Sequence, residues 1–414
     1  MIKPWLIRRA AQHQLGNLRN LLAGEPVTVA PLGGMNLDRD DVDIARRWLK
    51  DRHDWFDRGP VEQYQAEFAR WNGSRHAFAV MGGRVALSAC LHALNLAPGD
   101  EVILPGYTCV VVPNALKYAG LTPVYCDIEL ETYGLDAGVV EATITPRTRA
   151  IILHHLYGLV CRDYEAILKL AARHGLAVIE DCAHATGAEY RGTKVGNRGT
   201  VAFYSSEQTK VFNTVQGGVA VTNDDALAER MRQYWERAPY PTEGHVQKLL
   251  QNVLLQYYGF KHRQRWWLGD LMDLIYGESR FVSTTPEELQ GLQPDDYGCR
   301  MPAPIAALGL NQMRKLDRYN AQRRETARRW DAWCREQGYQ SATVVPSSLP
   351  VFLRYPVMVE SERKQDRAWA RNELRVDLGV WFRGSVHPLE GFLPECPRAA
   401  QAVASCVNFP CLLS

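Results

Sequence analysis

The 414-residue chain has no surplus of charge: 48 Lys plus Arg stand against 46 Asp plus Glu, a net +2. So even a balance gives no electrostatic footprint for a nucleic-acid backbone. No apolar run approaches the length of a membrane-spanning helix. The first residues lack an apolar core followed by a small-residue cleavage site, so the cytoplasm is the expected compartment. None of the ten cysteines (Cys90, Cys109, Cys126, Cys161, Cys182, Cys299, Cys334, Cys396, Cys406, Cys411) belongs to a Cys-x-x-Cys pair. Scattered, several in apolar runs, they read as buried free thiols in a reducing compartment rather than disulfides or zinc ligands, and no metal site is expected. Internal repeats and low-complexity tracts are also missing. What remains is a globular composition, 46% hydrophobic and 23% charged, in a chain long enough for two or three domains with ample core.

Residues 1–25 form a preamble in which Ile2, Trp5, Leu6, Leu15, Leu18, Leu21 and Leu22 are interleaved with Lys3, Arg8, Arg9 and Arg19. Such a basic amphipathic helix lies on a membrane or, the favoured reading, packs on its own protein or a partner subunit. Residues 40–72 read as helical, with a turn at Gly59-Pro60. Strand and helix then alternate: strand 77–81, the Gly82-Gly83 turn, helix 85–94, a break at Pro98-Gly99-Asp100, strand 101–104, helix 110–118, strand 122–127, strand 150–154, helix 163–174, strand 177–181. This spacing predicts a mostly parallel sheet covered on both faces. A hairpin-like pair, 201–204 and 219–222, closes that domain, and a helix at 224–234 leads out. Residues 236–300 are aromatic and leucine-rich, helical at 246–260 and 266–276, with a basic run at 261–265. They read as a membrane-touching element, a substrate lid or, favoured, helices across a subunit interface. A long helix at 304–333 leads to a smaller C-terminal α/β domain with strands near 350–359 and at 380–382. The expected division is an N-terminal extension (1–25), a large domain (26–240), a helical insert and loop (241–300), and a linking helix with the small domain (301–414).

In parallel sheets ligands bind at the carboxyl ends of the strands. Gly82-Gly83-Arg84, Tyr107, Asp181 and the Ser205–Lys210 turn fall at or just after such ends. An amine and a carboxylate on neighbouring strand ends are the two handles of a pyridoxal phosphate (PLP) site. Lys210 forms the Schiff base, and Asp181 keeps the ring nitrogen protonated so that the ring accepts electrons. Once a substrate amine displaces it, Lys210 is free to shuttle a proton between two carbons. Gly82-Gly83-Arg84 opens a helix, where backbone N–H groups make a phosphate cup; Ser205 adds a hydroxyl and Arg84 a charge. His184 lies three residues beyond Asp181, within reach of the same ligand. Each has a plainer reading. Glycine turns before helices are common, a strand-end aspartate caps the next helix, Arg84 points to solvent, His184 is a satisfied structural histidine, and a single lysine sits on a surface turn. The order glycine turn, aspartate, serine, lysine favours the site.

Several stretches are similar to the DegT/StrS family of PLP-dependent sugar aminotransferases. They include Asp57-Arg58-Gly59-Pro60-Val61, Ala97-Pro98-Gly99-Asp100-Glu101-Val102, Ile144-Thr145-Pro146-Arg147-Thr148-Arg149, His155-Leu156-Tyr157-Gly158, Glu180-Asp181-Cys182-Ala183-His184-Ala185, residues 205–218, and Arg300-Met301 before Ala306-Ala307-Leu308-Gly309-Leu310. The likeness covers roughly residues 55–235 and resumes near 297–330. It implies an α/β, aspartate-aminotransferase-like fold (PLP fold type I): a large domain on a mostly parallel mixed sheet plus a smaller C-terminal α/β domain. It also implies Lys210 as the Schiff-base lysine, Asp181 on the pyridine nitrogen, His184 by the ring hydroxyl, and Gly83, Arg84 and Ser205 on the phosphate. By the same resemblance the protein is a homodimer whose partner completes the site with the loop near 297–301, Arg300 being its candidate. Three positions depart from the family. Arg84 stands where threonine is usual, and Glu207 replaces a common histidine. Cys109 occupies the place of a ring-stacking aromatic, leaving stacking to a residue such as Tyr107. The implied activity moves an amine from an amino-acid donor, glutamate or glutamine, to a keto-sugar nucleotide or related cyclic ketone in glycan or natural-product biosynthesis. A branch with histidine in place of the lysine dehydrates instead; Lys210 favours transamination. The alternatives are elimination on the same fold, and a PLP-binding regulatory or interaction protein with little turnover, which the altered cup and helical insert motivate.

Overall fold

The computed structural model describes residues 4–24, 36–261, 284–367 and 369–413. The helix expected at 266–276 and nearly all of the basic run before it lie outside the described residues. The strands are β1 (His76–Val80), β2 (Glu101–Pro105), β3 (Thr108–Cys109), β4 (Thr122–Cys126), β5 (Thr148–His154), β6 (Ala177–Asp181), β7 (Glu189–Tyr190), β8 (Thr193–Lys194), β9 (Val201–Ser205), β10 (Gly218–Thr222), β11 (Ser348–Leu349), β12 (Arg354–Met358), β13 (Val386–His387) and β14 (Cys406–Pro410). Seven of them form one sheet in the order β1-β10-β9-β6-β5-β2-β4. From β9 to β4 every pairing is parallel, while β10 runs against both of its neighbours. Every residue of β2, β9 and β10 is buried. Strands covered on both faces have no solvent side, which is why they read as unbroken apolar runs rather than alternations.

The helices are α1 (Pro4–Leu22), α2 (Arg39–Lys50), α3 (Gly59–Asn72), α4 (Gly83–Leu94), α5 (Val111–Tyr118), α6 (Ala137–Thr143), α7 (Tyr164–His174), α8 (Asp225–Arg237), α9 (Glu243–Leu255), α10 (Pro286–Leu289), α11 (Ala303–Gln337), α12 (Ser361–Gln365) and α13 (Pro397–Ser405). The turn expected at Gly59-Pro60 falls earlier, between α2 and α3, and Gly59-Pro60 open α3 instead. A proline at the first turn sacrifices an N–H that has no acceptor there. In α1, Leu15, Leu18, Leu21 and Leu22 are exposed.

The C-terminal unit is built on β12 and β14, paired antiparallel from Arg354↔Pro410 to Met358↔Cys406. Tyr355, Val357, Val407 and Phe409 pack against Trp330 and Cys334 of α11. A second apolar cluster containing Tyr107, Tyr133, Tyr157, Phe382 and Val403 joins this unit to the strand ends of the large sheet. There β13 pairs in parallel with β3, Val386 opposite Thr108 and His387 opposite Cys109.

Residues 380–382, expected as a strand, form a loop. Side chains replace the ladder. The Trp381 N–H donates to Asn408 Oδ1 at 2.8 Å, and the Phe382 N–H donates to Tyr107 Oη at 3.1 Å. The Phe382 carbonyl accepts from the buried Lys364 ammonium at 3.2 Å. With its backbone groups satisfied this way, the segment needs no neighbouring strand.

Candidate active site

Strand β6 sends alternate side chains to opposite faces, which separates two adjacent carboxylates. Glu180 is fully buried and is filled by protein donors: the N–H groups of Gly196 (2.7 Å), Arg198 (2.9 Å) and Gly199 (2.5 Å), and Tyr164 Oη (2.6 Å). Burial pushes its pKa up, but His155 and these hydrogen bonds bring it below the ordinary value. His155, Glu180 and Cys182 place ligand-type atoms within 4.8 Å of one another. His155 Nδ1 accepts from the Cys161 N–H at 3.2 Å and its Nε2 faces Glu180. Glu180 thus ties β6 to the loop at 196–199, and His155 is engaged by Glu180 and Cys161.

Asp181 ends β6 on the other face. Its Oδ1 accepts the Ala183 N–H at 3.0 Å. Burial raises its pKa to about 6, against the pull of that N–H, Lys210 and His155. Lys210 lies on the connection between β9 and β10, which is tied down along its length. The Lys210 N–H donates to the Glu207 carbonyl at 2.8 Å, and Gln208 N–H to the Val215 carbonyl at 3.1 Å. Gln256 Nε2 donates to Gln208 Oε1 at 2.7 Å. The Lys210 ammonium is disfavoured by burial, with Glu207, Cys109 and Asp181 opposing the shift and Arg354 adding to it.

His184 sets the orientation of that amine. Its Nδ1 accepts the Tyr157 N–H at 3.3 Å, so the ring proton of the neutral imidazole belongs on Nε2. Nε2 lies 3.0 Å from Lys210 Nζ. Burial holds the imidazole well below its ordinary pKa, and Lys210 and Arg354 lower it further. A neutral imidazole N–H aimed at an amine lone pair fits the lowered basicity of both groups. The indole of Trp381 stacks on His184, centroids 4.6 Å apart and planes 16° apart, and its centroid is 4.8 Å from Lys210 Nζ.

One strand further on, Gly83 opens α4 beside Ser205. A Cβ on Gly83 would lie 2.9 Å from Ser205 Cβ and 3.3 Å from its Oγ. The first-turn N–H groups of α4, which have no intrahelical acceptor, and the buried Ser205 hydroxyl therefore share one small space. The Arg84 guanidinium is engaged outside this cup: it pairs with the fully buried Glu288 of α10, whose carboxylate also accepts the Thr285 N–H at 2.9 Å. Cys109, half-buried on β3, is close enough for Lys210 and Arg84 to act on its thiol, which burial keeps protonated.

Tyr107 is wholly buried. Its ring packs edge-on to Phe382 at 4.8 Å, and its hydroxyl meets Tyr157 Oη at 2.9 Å and the Trp381 carbonyl at 2.9 Å. It braces the Trp381 loop from beneath. Arg300 lies beside the end of β1, bridged to Val80. Its guanidinium is 4.4 Å from the Tyr240 ring centroid and 5.4 Å from that of Trp235, with Nε and Nη1 lacking a hydrogen-bond acceptor among the described residues.

The structure thus brings Lys210, Asp181, His184, Gly83, Ser205 and Cys109 to one edge of the sheet, while Tyr107 and the charge of Arg84 are engaged elsewhere. It adds Trp381, Arg354 and His387, which sequence reasoning missed. For Arg354 a signal existed, since a lone arginine interrupts the apolar stretch 350–359, and a charge in such a run is an anomaly. Trp381 gave none that distinguishes it from a core residue.

The profile of the DegT/DnrJ/EryC1/StrS aminotransferase family matches residues 40–412. GDP-perosamine synthase of Caulobacter vibrioides is 46% identical over 172 residues, 42% of this chain and 46% of that protein. L-glutamine:2-deoxy-scyllo-inosose aminotransferase of Streptomyces kanamyceticus is 35% identical over 308 residues, 71% of this chain and 62% of that protein. The chain therefore spans between about half and three-fifths of the length of these two curated relatives. The crystal structure of DesV from S. venezuelae superposes with a TM-score of 0.70 at 27% identity, covering 91% of each chain.

Proposed function

The chain belongs to the DegT/DnrJ/EryC1/StrS aminotransferase family, and on that premise we propose that it uses PLP to move an amine from an amino-acid donor to a keto acceptor. The observation that carries this reading is the Lys210 amine, 3.0 Å from a neutral His184, on the sheet edge that also holds Asp181 and the Gly83–Ser205 cup. The donor set suits the cofactor: an amine of lowered basicity for its aldehyde, a carboxylate for its ring nitrogen, and first-turn helix N–H groups with a hydroxyl for its phosphate. Bound there, the cofactor supplies an electron sink for the carbon that loses its α-proton.

The rest is the work of this chain's residues. Asp181, as carboxylate, keeps a pyridinium proton in place and gains in acidity from it. Ser205 and the first turn of α4 hold the phosphate end. His184 orients the Lys210 amine through Nε2. Lys210 Nζ takes the proton from one carbon and returns it to another, which requires the amine to be neutral at working pH. Trp381 and His184, stacked, exclude water from one side of that amine. Two relatives act, by name, on an inosose with glutamine as donor and in making GDP-perosamine. They support glutamate or glutamine as donor and a keto-sugar nucleotide or cyclic ketone as acceptor. A homodimer, with Arg300 at the partner's site, completes the reading.

The test is spectroscopic. Purified protein is expected to show the visible band of a PLP imine, absent in Lys210→Ala. Glutamate or glutamine is expected to bleach it to the pyridoxamine spectrum. Protein that never retains PLP would sink the proposal, and a band that no amino donor alters would favour a binding protein over an enzyme.

A further inference from the structure

Strand β12 carries one charge in an apolar sequence, Arg354. Its side chain is only 6% exposed, yet among the described residues its guanidinium forms no hydrogen bond or ion pair. Its close neighbour is the indole of Trp381, whose ring centroid is 3.4 Å from Cζ. Removing a guanidinium from water without an anion is strongly unfavourable, and stacking on an indole offsets only part of that cost. Stacking uses the face of the group and leaves its in-plane N–H donors free. Three observations say where those donors belong. The same indole stacks on His184 and lies 4.8 Å from Lys210 Nζ. The charge of Arg354 is felt at Lys210, His184 and His387. Glu207, the acid that acts on Arg354, has one oxygen taken by Thr209 and the other buried without a partner among the described residues, so it does not neutralise the guanidinium by direct contact.

We propose that Arg354 binds the α-carboxylate of the amino-acid donor, holding the donor amine toward Lys210. A planar fork of N–H donors matches a planar carboxylate in two parallel hydrogen bonds. The phosphate cup at Gly83 and Ser205 belongs to the large sheet, whereas Arg354 arrives from the C-terminal unit, so the two anion sites are separate. The assignment rests on the aminotransferase reading and adds to it the group that selects α-amino acids over simple amines.

The experiment uses the PLP-loaded full-length protein and Arg354→Gln and Arg354→Lys. Calorimetric titration with 2-methylglutamate, which has no α-proton to lose, reads binding without turnover. Bleaching of the visible band by glutamate and by 4-aminobutyrate, which lacks the α-carboxylate, reads the half-reaction. Arg354→Gln is expected to retain the band and to weaken 2-methylglutamate roughly 30-fold or more. The glutamate half-reaction needs correspondingly more glutamate, so the preference for glutamate over 4-aminobutyrate falls by about the same factor. Arg354→Lys recovers part of the loss and serves as the readout if the glutamine variant does not fold. Inorganic pyrophosphate is titrated in parallel. Loss of pyrophosphate binding with 2-methylglutamate unaffected would overturn the assignment in favour of the acceptor's phosphates, and unchanged titrations would reduce Arg354 to a packing residue. Either result with a normal wild-type half-reaction leaves transamination standing, whereas a wild-type band that no donor bleaches removes the aminotransferase reading itself.

Discussion

At the scale of single residues, Asp181 shows how a buried carboxylate costs stability. Its folded pKa of about 6 stands above the ordinary 3.8. Below pH 4 both folded and unfolded chains carry the proton, and the group contributes nothing. As pH rises through 6 the unfolded chain has lost its proton first, so stability falls, by at most roughly 3 kcal/mol above pH 7. Asp181→Asn should therefore melt higher than the parent at pH 8 in PLP-free protein, with the gain vanishing near pH 4, while turnover drops at least ~100-fold. Lys210 is present in both proteins, so its own titration cancels to first order in the difference. Equal melting temperatures at pH 8 would show that Asp181 is not desolvated. Tyr107 carries a different prediction. Its hydroxyl links the Tyr157 hydroxyl, the Trp381 carbonyl and the Phe382 N–H. Tyr107→Phe is expected to lose about 1–2 kcal/mol in denaturant titration and to slow turnover by releasing the Trp381 loop, with PLP still bound. Weakened PLP retention would instead return Tyr107 to the cofactor. Sequence position marks Tyr107 as a strand-end residue, but which neighbours claim its ring depends on the cluster formed with Phe382.

At the scale of elements, the glycines separate two failures. A Cβ on Gly83 meets a side chain, Ser205, at 2.9 Å, which can turn away at the expense of the proposed phosphate cup. A Cβ on Gly218 would lie 2.4 Å from the backbone carbon and oxygen of Gly82, where nothing can yield without displacing β10 from β1. Gly83→Ala is expected to fold with near-parent melting but bind PLP at least ~10-fold more weakly in equilibrium dialysis. Gly218→Ala is expected to lose at least ~2 kcal/mol of stability or to fail to accumulate. The reverse pattern would mean the cup lies elsewhere. The strands and helices of the large sheet were readable because each is local: apolar runs of strand length, turn residues between them, and helical periodicity after them. Residues 380–382 were not, because an apolar triplet is the same string in a strand or in a loop whose backbone is held by Asn408, Tyr107 and Lys364.

At the scale of the whole molecule, one face of the site comes from the C-terminal unit. Trp381 reaches Lys210, with Arg354 stacked on its ring, by way of the seam of Tyr107, Tyr157 and Phe382 and the β3–β13 pairing. The proposed dimer makes a further prediction here. Arg300 packs between aromatic rings of its own chain with two N–H groups that no described residue accepts. If it serves a second copy, Arg300→Ala and Lys210→Ala should each be inactive alone. Mixed and refolded together, they should recover up to about a quarter of parental activity, since only half of the mixed dimers' sites, in half of the dimers, are intact. No recovery, with dimers demonstrated by sedimentation, would place Arg300 in its own chain's site.

Local pattern was enough for the alternating strands, the glycine turn, and the order of Asp181, Ser205 and Lys210, because backbone conformation and side-chain chemistry within a few residues produce those features. It also carried the family likeness now extended over residues 40–412. Folding of distant segments onto one another settled the rest. Arg84 turns to Glu288, Tyr107 goes into the seam, and Trp381, more than 140 positions beyond Lys210, comes to stand over it with Arg354 stacked on its ring. Burial and partner choice are properties of contacts between segments, and no stretch of the chain holds both partners.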